Sequence, residues 1–213
     1  MPQVSLADLI TAGQAGDRLI SFPTDTVPAL AVRPDRAELI FTAKQRSATK
    51  PLILMGACAE DLWPYTAGSK DEVRVWREVV DRYWPGALTL VLPASDRLPL
   101  AMNPTDPTTI GIRVPDCAIA RHILERTQPL ATTSVNRSGQ PPLQTIAAIN
   151  AEFPEVLTLS PQDLADLARS LPDFARGTPD STVESASGKP STVVKWTGQG
   201  WEVLRQGAIA LES

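Results

Sequence analysis

The chain has 213 residues, with 20 Lys and Arg against 24 Asp and Glu, a formal net charge of −4 and one histidine. That length fits one large domain or two small ones, and the mild acidity argues against broad, non-specific nucleic-acid binding while leaving room for a local basic pocket. Cys58 and Cys117 are isolated, offer no zinc-ligand spacing, and read as reduced, partly buried small hydrophobes.

In chain order, SLADLITAGQA (5–15) has the spacing of a short amphipathic helix with Ser5 as N-cap. RLISF (18–22) reads as a strand running into the turn-rich PTDT. Pro34 and Asp35 open a second helix with Leu39, Ile40 and Ala43 inward, ending near Lys44–Arg46. The apolar run PLILMGA (51–57) is a buried strand. SKDEVRVWREVVDRYW (69–84) is the clearest helix, with Val73, Trp76, Val80, Tyr83 and Trp84 on one stripe and Pro85-Gly86 stopping it. Strands follow at 87–92 and 109–114, a helix at 116–127, and a strand at 129–133. Helices are expected near 144–152 and 161–170, and a final hairpin joins 191–196 to 201–206 through Thr197–Gly200. Stretches 95–108 and 172–190 are irregular and are candidate mobile loops over a site. The alternation predicts a single α/β domain, residues 1–213, around a twisted mixed sheet. No apolar run approaches a membrane span and Met1-Pro2-Gln3 begins no basic, apolar leader, so a cytoplasmic location is expected.

The chain contains no GxxxxGK loop, no GxGxxG after a strand and no HExxH. His122, beside Ile119 and Ile123, reads as a packed or surface residue, which leaves a serine–histidine triad without a base. What remains is a set of polar stretches at strand ends. FPTDTVPAL (22–30) offers Thr24, Asp25 and Thr26 where ligands of open α/β sheets sit. The same residues would also make an ordinary Asx or Ser/Thr turn. KQRSATKP (44–51) gathers Lys44, Arg46 and Lys50. Capping a helix dipole is worth only about 0.3–1 kcal/mol and needs fewer cations, so the alternative is an anion site, reached only if the chain leaves the helix there. TTSVNRSGQPP (132–142) supplies Thr132, Thr133, Ser134, Asn136 and Ser138 for phosphate or ribose oxygens, or for capping the next helix. TIGIRVP ends on Arg113, and PSTVVKW with VLRQGAI carries Ser191, Thr192 and Arg205.

PTDTV, KQR followed by KPLIL, WPGALTLVL, TIGIRVP, the S-x-N of TTSVNRSG, and STVV before VLRQGAI occur in the order of the YrdC-like family, the L-threonylcarbamoyladenylate synthases. The resemblance spans roughly the whole chain, and the short tail after VLRQGAI resembles single-domain bacterial members. It implies an α/β domain whose mixed, largely antiparallel sheet is flanked by helices and carries a concave, positively charged cleft. It also implies a nucleotidyltransferase that joins L-threonine, bicarbonate and ATP with Mg²⁺ into threonylcarbamoyl-AMP and pyrophosphate. Partner proteins then modify a tRNA adenosine.

By the same resemblance, Thr26, Arg113, Thr132 and Ser191 match threonine-binding positions. Arg46, Lys50, Thr109, Ser134, Pro142 and Arg205 match the nucleotide lining. Lys44, Arg46, Ser134 and Asn136 match the catalytic K-x-R and S-x-N set. No dedicated metal ligand is expected, since Mg²⁺ would ride on the phosphates. Two departures bear on amino-acid specificity: Pro28-Ala29 stands where the family has Tyr-Gly, and Met55 where many members have His. STV occurs at both 181–183 and 191–193, and the second lies at the family distance from VLRQG. Two other functions fit the same motifs: a double-stranded RNA or tRNA-binding accessory protein, and a paralogue acting on another amine.

Overall fold

The computed structural model describes residues 2–45, 50–171 and 187–211. Its strands are β1 (Gln3–Val4), β2 (Ile20–Phe22), β3 (Ala29–Val32), β4 (Ile53–Met55), β5 (Leu88–Pro93), β6 (Thr109–Arg113), β7 (Leu130–Ser134), β8 (Leu157–Leu159), β9 (Thr192–Trp196) and β10 (Trp201–Arg205). The helices are α1 (Leu6–Ala15), α2 (Glu38–Lys44), α3 (Lys70–Tyr83), α4 (Ala118–Thr127), α5 (Ile146–Glu152) and α6 (Pro161–Ser170). The strands form one mixed sheet in the order β1-β8-β2-β3-β7-β4-β6-β5-β9-β10. The pairs β1–β8, β2–β8, β4–β6 and β5–β9 are parallel, and the other neighbours are antiparallel. No described helix is long and apolar enough to cross a membrane.

Side-chain alternation decides what each face of this sheet meets. Leu88, Leu90 and Leu92 of β5, Ile110 and Ile112 of β6, Leu54 of β4 and Val194 of β9 point to one face. There they pack with Trp76 and Val80 of α3, Ile40 of α2 and Ile149 of α5. On the opposite face Ile20, Phe22, Ala29, Ala31, Leu130, Leu157 and Leu159 pack under α1, α4 and α6, through Leu9, Ile123 and Leu167. That second layer covers the β8-β2-β3 half and stops near Met55. The remaining half therefore keeps one helix-free face, and the period-2 pattern sends Thr89, Val91, Thr109, Gly111 and Arg113 onto it.

Local chemistry sets the helix ends. Ser69 caps α3 and forms a reciprocal capping box with Glu72. Trp76 meets Trp196 edge-on at 6.5 Å between ring centroids, tying α3 to the last hairpin.

Several expectations are corrected. Pro34 opens a 3₁₀ turn, Pro34–Arg36, and α2 begins at Glu38. The 51–57 run is regular only over Ile53–Met55. Trp84 lies beyond α3 and its indole donates to Leu88 O at 2.8 Å. β1, β3 and β8 stand where no strand is expected: β3 is a short apolar run buried on both faces, β8 is only the three buried residues Leu157-Thr158-Leu159, and β1 has two residues. The 95–108 stretch is anchored by a 3₁₀ turn, Leu100–Met102, and by buried Leu98, Met102 and Asn103. Of the 172–190 stretch, 172–186 lies outside the described residues, as do Ser181, Thr182 and Val183. Cys58 is exposed rather than partly buried.

Candidate active site

Across the helix-free half, pairing sets Lys195 beside Val91, Val91 beside Gly111, Gly111 beside Ile53, and Ile53 beside Thr132. Five strands at the usual spacing make a floor roughly 19 Å wide. A cavity of about 490 Å³ stands on it. Gly111 keeps its centre flat: a Cβ there would sit 3.4 Å from Thr89 Cγ2 and 3.5 Å from Ile53 Cγ1.

Arg113, the last residue of β6, is only 4% exposed. Its Nε donates to Gly86 O at 3.0 Å, Nη1 to Thr26 Oγ1 at 2.9 Å and Nη2 to Asp25 Oδ1 at 2.6 Å. Three anchors on three nitrogens fix the guanidinium plane and leave one N–H on each terminal nitrogen. Burial pulls its pKa down and the Asp25 carboxylate resists that pull, so the group stays cationic.

The hydroxyl polarity beside it is also fixed. Thr24 Oγ1 donates to Val27 O at 2.7 Å, so it must accept from Thr26 Oγ1 at 3.1 Å. Thr26 thus spends its proton on Thr24 and presents a lone pair. Thr132 likewise donates to Ile53 O at 3.0 Å.

The second guanidinium arrives from the edge of the sheet. Pairing of β10 with β9 shifts register between Val203 and Arg205, a bulge that re-aims the strand end. Arg205 donates to Ser191 O through Nη2 at 2.9 Å and Nε at 3.2 Å. Burial, and then the charge of Arg113, lower its pKa. Ser191 Oγ shares a 2.9 Å hydrogen bond with Thr89 Oγ1. Close backbone contact explains why STVV and QGAI belong together. Thr192 Oγ1 donates to Ile209 O and accepts from Gly207 N at 3.0 Å, and a Cβ on Gly207 would fall 2.3 Å from Pro190 O.

The structure gathers Thr26, Thr109, Arg113, Thr132, Ser134, Ser191 and Arg205 around this one cavity. The remaining expected residues stand elsewhere. Gln45, at φ 48°, turns the chain off the end of α2. Lys44 is then 1% exposed and its ammonium points inward, donating to Ser134 O and to Asn136 Oδ1 at 3.1 Å. Asn136 also accepts from Ser134 Oγ at 2.6 Å. Lys44 and Asn136 therefore brace the turn behind Ser134 and are not cavity-lining residues. Lys50 is exposed beside the lining residue Pro51, and Pro142 lies off the wall. Arg46 lies outside the described residues.

The expected site set omitted Asp25, Thr89, Asn103, Asp106 and Lys195. The cavity is lined by all of these except Asp25, which stands behind Arg113. Strand alternation could have found Thr89 and Lys195; nothing local marks Asn103. Of the two departures, Ala29 and Met55 are on the wall, and Pro28 faces a separate small pocket with Phe22 and Gln144. His122 and Cys58 border a different surface hollow.

The model of the Sua5/YciO/YrdC family, described as telomere recombination, matches residues 14–164. This chain belongs to that family. It is 33% identical over 169 residues to the threonylcarbamoyl-AMP synthase of Chromohalobacter salexigens, covering 77% of this chain and 88% of that relative. The Pyrococcus abyssi threonylcarbamoyl-AMP synthase is 36% identical over 128 residues, covering 58% of this chain and 36% of its own length. The crystal structure of P. abyssi Sua5 complexed with L-threonine superposes with a TM-score of 0.73 at 26% identity, over 96% of this chain and 55% of that one. This chain thus spans about half of the longer archaeal protein.

Proposed function

We propose that the protein is an L-threonylcarbamoyladenylate synthase, converting L-threonine, bicarbonate and ATP to threonylcarbamoyl-AMP and pyrophosphate in the cytoplasm. Its product would pass to partner proteins that modify a tRNA adenosine. The observation that carries this reading is the presence of two guanidiniums, Arg113 and Arg205, on one cavity wall, with the charge of Arg113 acting on Arg205. An anion between them would offset that effect.

The free N–H groups of Arg113 suit the threonine carboxylate, a planar acceptor that matches a guanidinium fork. Thr26 offers a lone pair to a donor on the same substrate. The threonine amine takes up bicarbonate with loss of water, and the resulting carbamate oxygen attacks the α-phosphate of ATP as pyrophosphate leaves. No side-chain nucleophile is required. The protein supplies proximity and positive charge, from Arg205 and Lys195 on the wall, with Lys50 beside it. Mg²⁺ would arrive on the triphosphate. Asp106 is the one carboxylate among the described lining residues, and its two oxygens already accept from Thr108 and Thr109, so it provides no metal cage.

Incubating the purified protein with ATP, threonine and bicarbonate should release pyrophosphate and threonylcarbamoyl-AMP in a threonine-dependent manner. Nucleotide binding without such a product would sink the reading. Ala29 and Met55 on the wall favour testing a second reading, a synthase for another amine. A panel of amino acids decides it: preference for threonine removes this alternative.

A further inference from the structure

The cavity wall holds a polar atom to which the proposed reaction gives no task. Asn103 is 4% exposed and lines the cavity at the Thr109 end. Its Nδ2 donates to Thr109 O at 3.2 Å and lies 3.4 Å from Thr109 Oγ1. A main-chain carbonyl can only accept, so the amide cannot be turned over: nitrogen faces Thr109 and oxygen faces away. Oδ1 then has no hydrogen-bond partner among the described residues. Trp76 Nε1 is the only unpaired polar side-chain atom among them that is sealed from open space. Asn103 Oδ1 therefore borders open space, and the space this residue borders is the cavity. The surrounding chain holds it there: Met102 is fully buried and its carbonyl accepts from Leu52 N at 3.0 Å.

We propose that Asn103 reads the nucleobase, its Oδ1 accepting from the 6-amino group of adenine; this rests on the ATP-dependent reading above. The floor beside it suits a purine. Ile53 and Val91 flank Gly111, giving an apolar, flat surface for a ring face, with Asn103 at its edge. A lone acceptor selects a donor. A 6-oxo purine would set oxygen against oxygen and leave both without a proton between them, so a site built to hydrogen-bond an amine rejects it.

The test compares ATP with ITP, which keeps the ribose and triphosphate and replaces the 6-amino group by an oxo group. Nucleotide affinity is measured by calorimetric titration, and turnover by threonine-dependent pyrophosphate release. The unaltered full chain should prefer ATP by about tenfold or more, and Asn103→Ala should bring the two nucleotides within about threefold while leaving the threonine KM unchanged. Equal use of ATP and ITP by the unaltered chain overturns the inference without recourse to any variant. So does an Asn103→Ala protein that loses both nucleotides alike, since Oδ1 would then hold a shared group such as a ribose hydroxyl. In both cases threonine-dependent product from ATP leaves the synthase reading standing. Failure to bind any nucleotide ends that reading, and Asn103 with it.

Discussion

At the Arg113 end of the cavity the contacts join distant parts of the chain: Arg113 is bound by Gly86, Asp25 and Thr26, and Ser191 by Thr89. At the Thr109 end they are local, with Asn103 and Asp106 both bonded to residues within six positions. Long-range contacts of buried groups form only with the fold, whereas a local turn organises itself. Changes at the first end should therefore lower stability and substrate affinity together, and changes at the second should touch affinity alone.

Arg113→Ala is the strongest way to break this contrast. It removes the proposed carboxylate fork and strands Asp25, part of an ion pair with side-chain exposures of 5% and 14%. Breaking such a pair costs about 3–5 kcal/mol. At this chain length that should lower Tm by roughly 6–20 °C. Loss of two charge-assisted hydrogen bonds should raise the threonine KM by roughly 100-fold or more. Thermal melting and threonine kinetics check both, and a variant with unchanged Tm contradicts the coupling.

Gly207→Ala should follow. Its Cβ would collide with main-chain atoms of Pro190 and Ser191, which cannot swing away as a side chain can. Overpacking of this kind costs about 1–3 kcal/mol. The displaced Ser191 and Arg205 should raise the KM for threonine and for ATP together. At the other end, Thr109→Ala removes a hydroxyl bonded, among the described residues, to Asp106 and Asn103. We expect an ATP KM about 3–10-fold higher and a Tm within about 2 °C of the parent. A large fall in Tm would show that the local end is tied to the fold after all.

The same contrast explains what the sequence disclosed. Leu88, Leu90 and Leu92 against Thr89 and Val91, and Ile110 and Ile112 against Gly111 and Arg113, are patterns a single segment displays, so the strands and the cavity face could be read directly. Ala29–Val32 could not, because a short apolar run buried on both faces looks the same in helix or strand, and Leu157-Thr158-Leu159 is too short to display a period. Lys44 illustrates a different limit. Its charge suggested a phosphate ligand, but the left-handed turn at Gln45 and a bond to Asn136, 92 residues away, send the ammonium inward. Neither fact is local to KQR. Asp25 could be noticed as a polar turn residue, yet its task behind Arg113 exists only once β6 is in the sheet.

The smallest effect tests whether the wall behind Arg113 is closed. Cys117 lies there, its Sγ 3.5 Å from Pro23 O, and burial raises its pKa to about 11. At pH 8 only about one thiol in a thousand is then ionised, and the thiolate is the reactive form. Cys58 is exposed, and burial raises its thiol pKa as well. Alkylation followed by peptide mapping should thus mark Cys58 first, with Cys117 reacting at least about 100-fold more slowly in the folded protein. In denaturant the two rates should converge. Arg113→Ala should partly close the gap, because Asp25 loses the ion pair that holds the PTDT turn against β6. Equal labelling of the two cysteines in the native parent would mean that this wall opens freely, and the structural difference between the two ends would disappear.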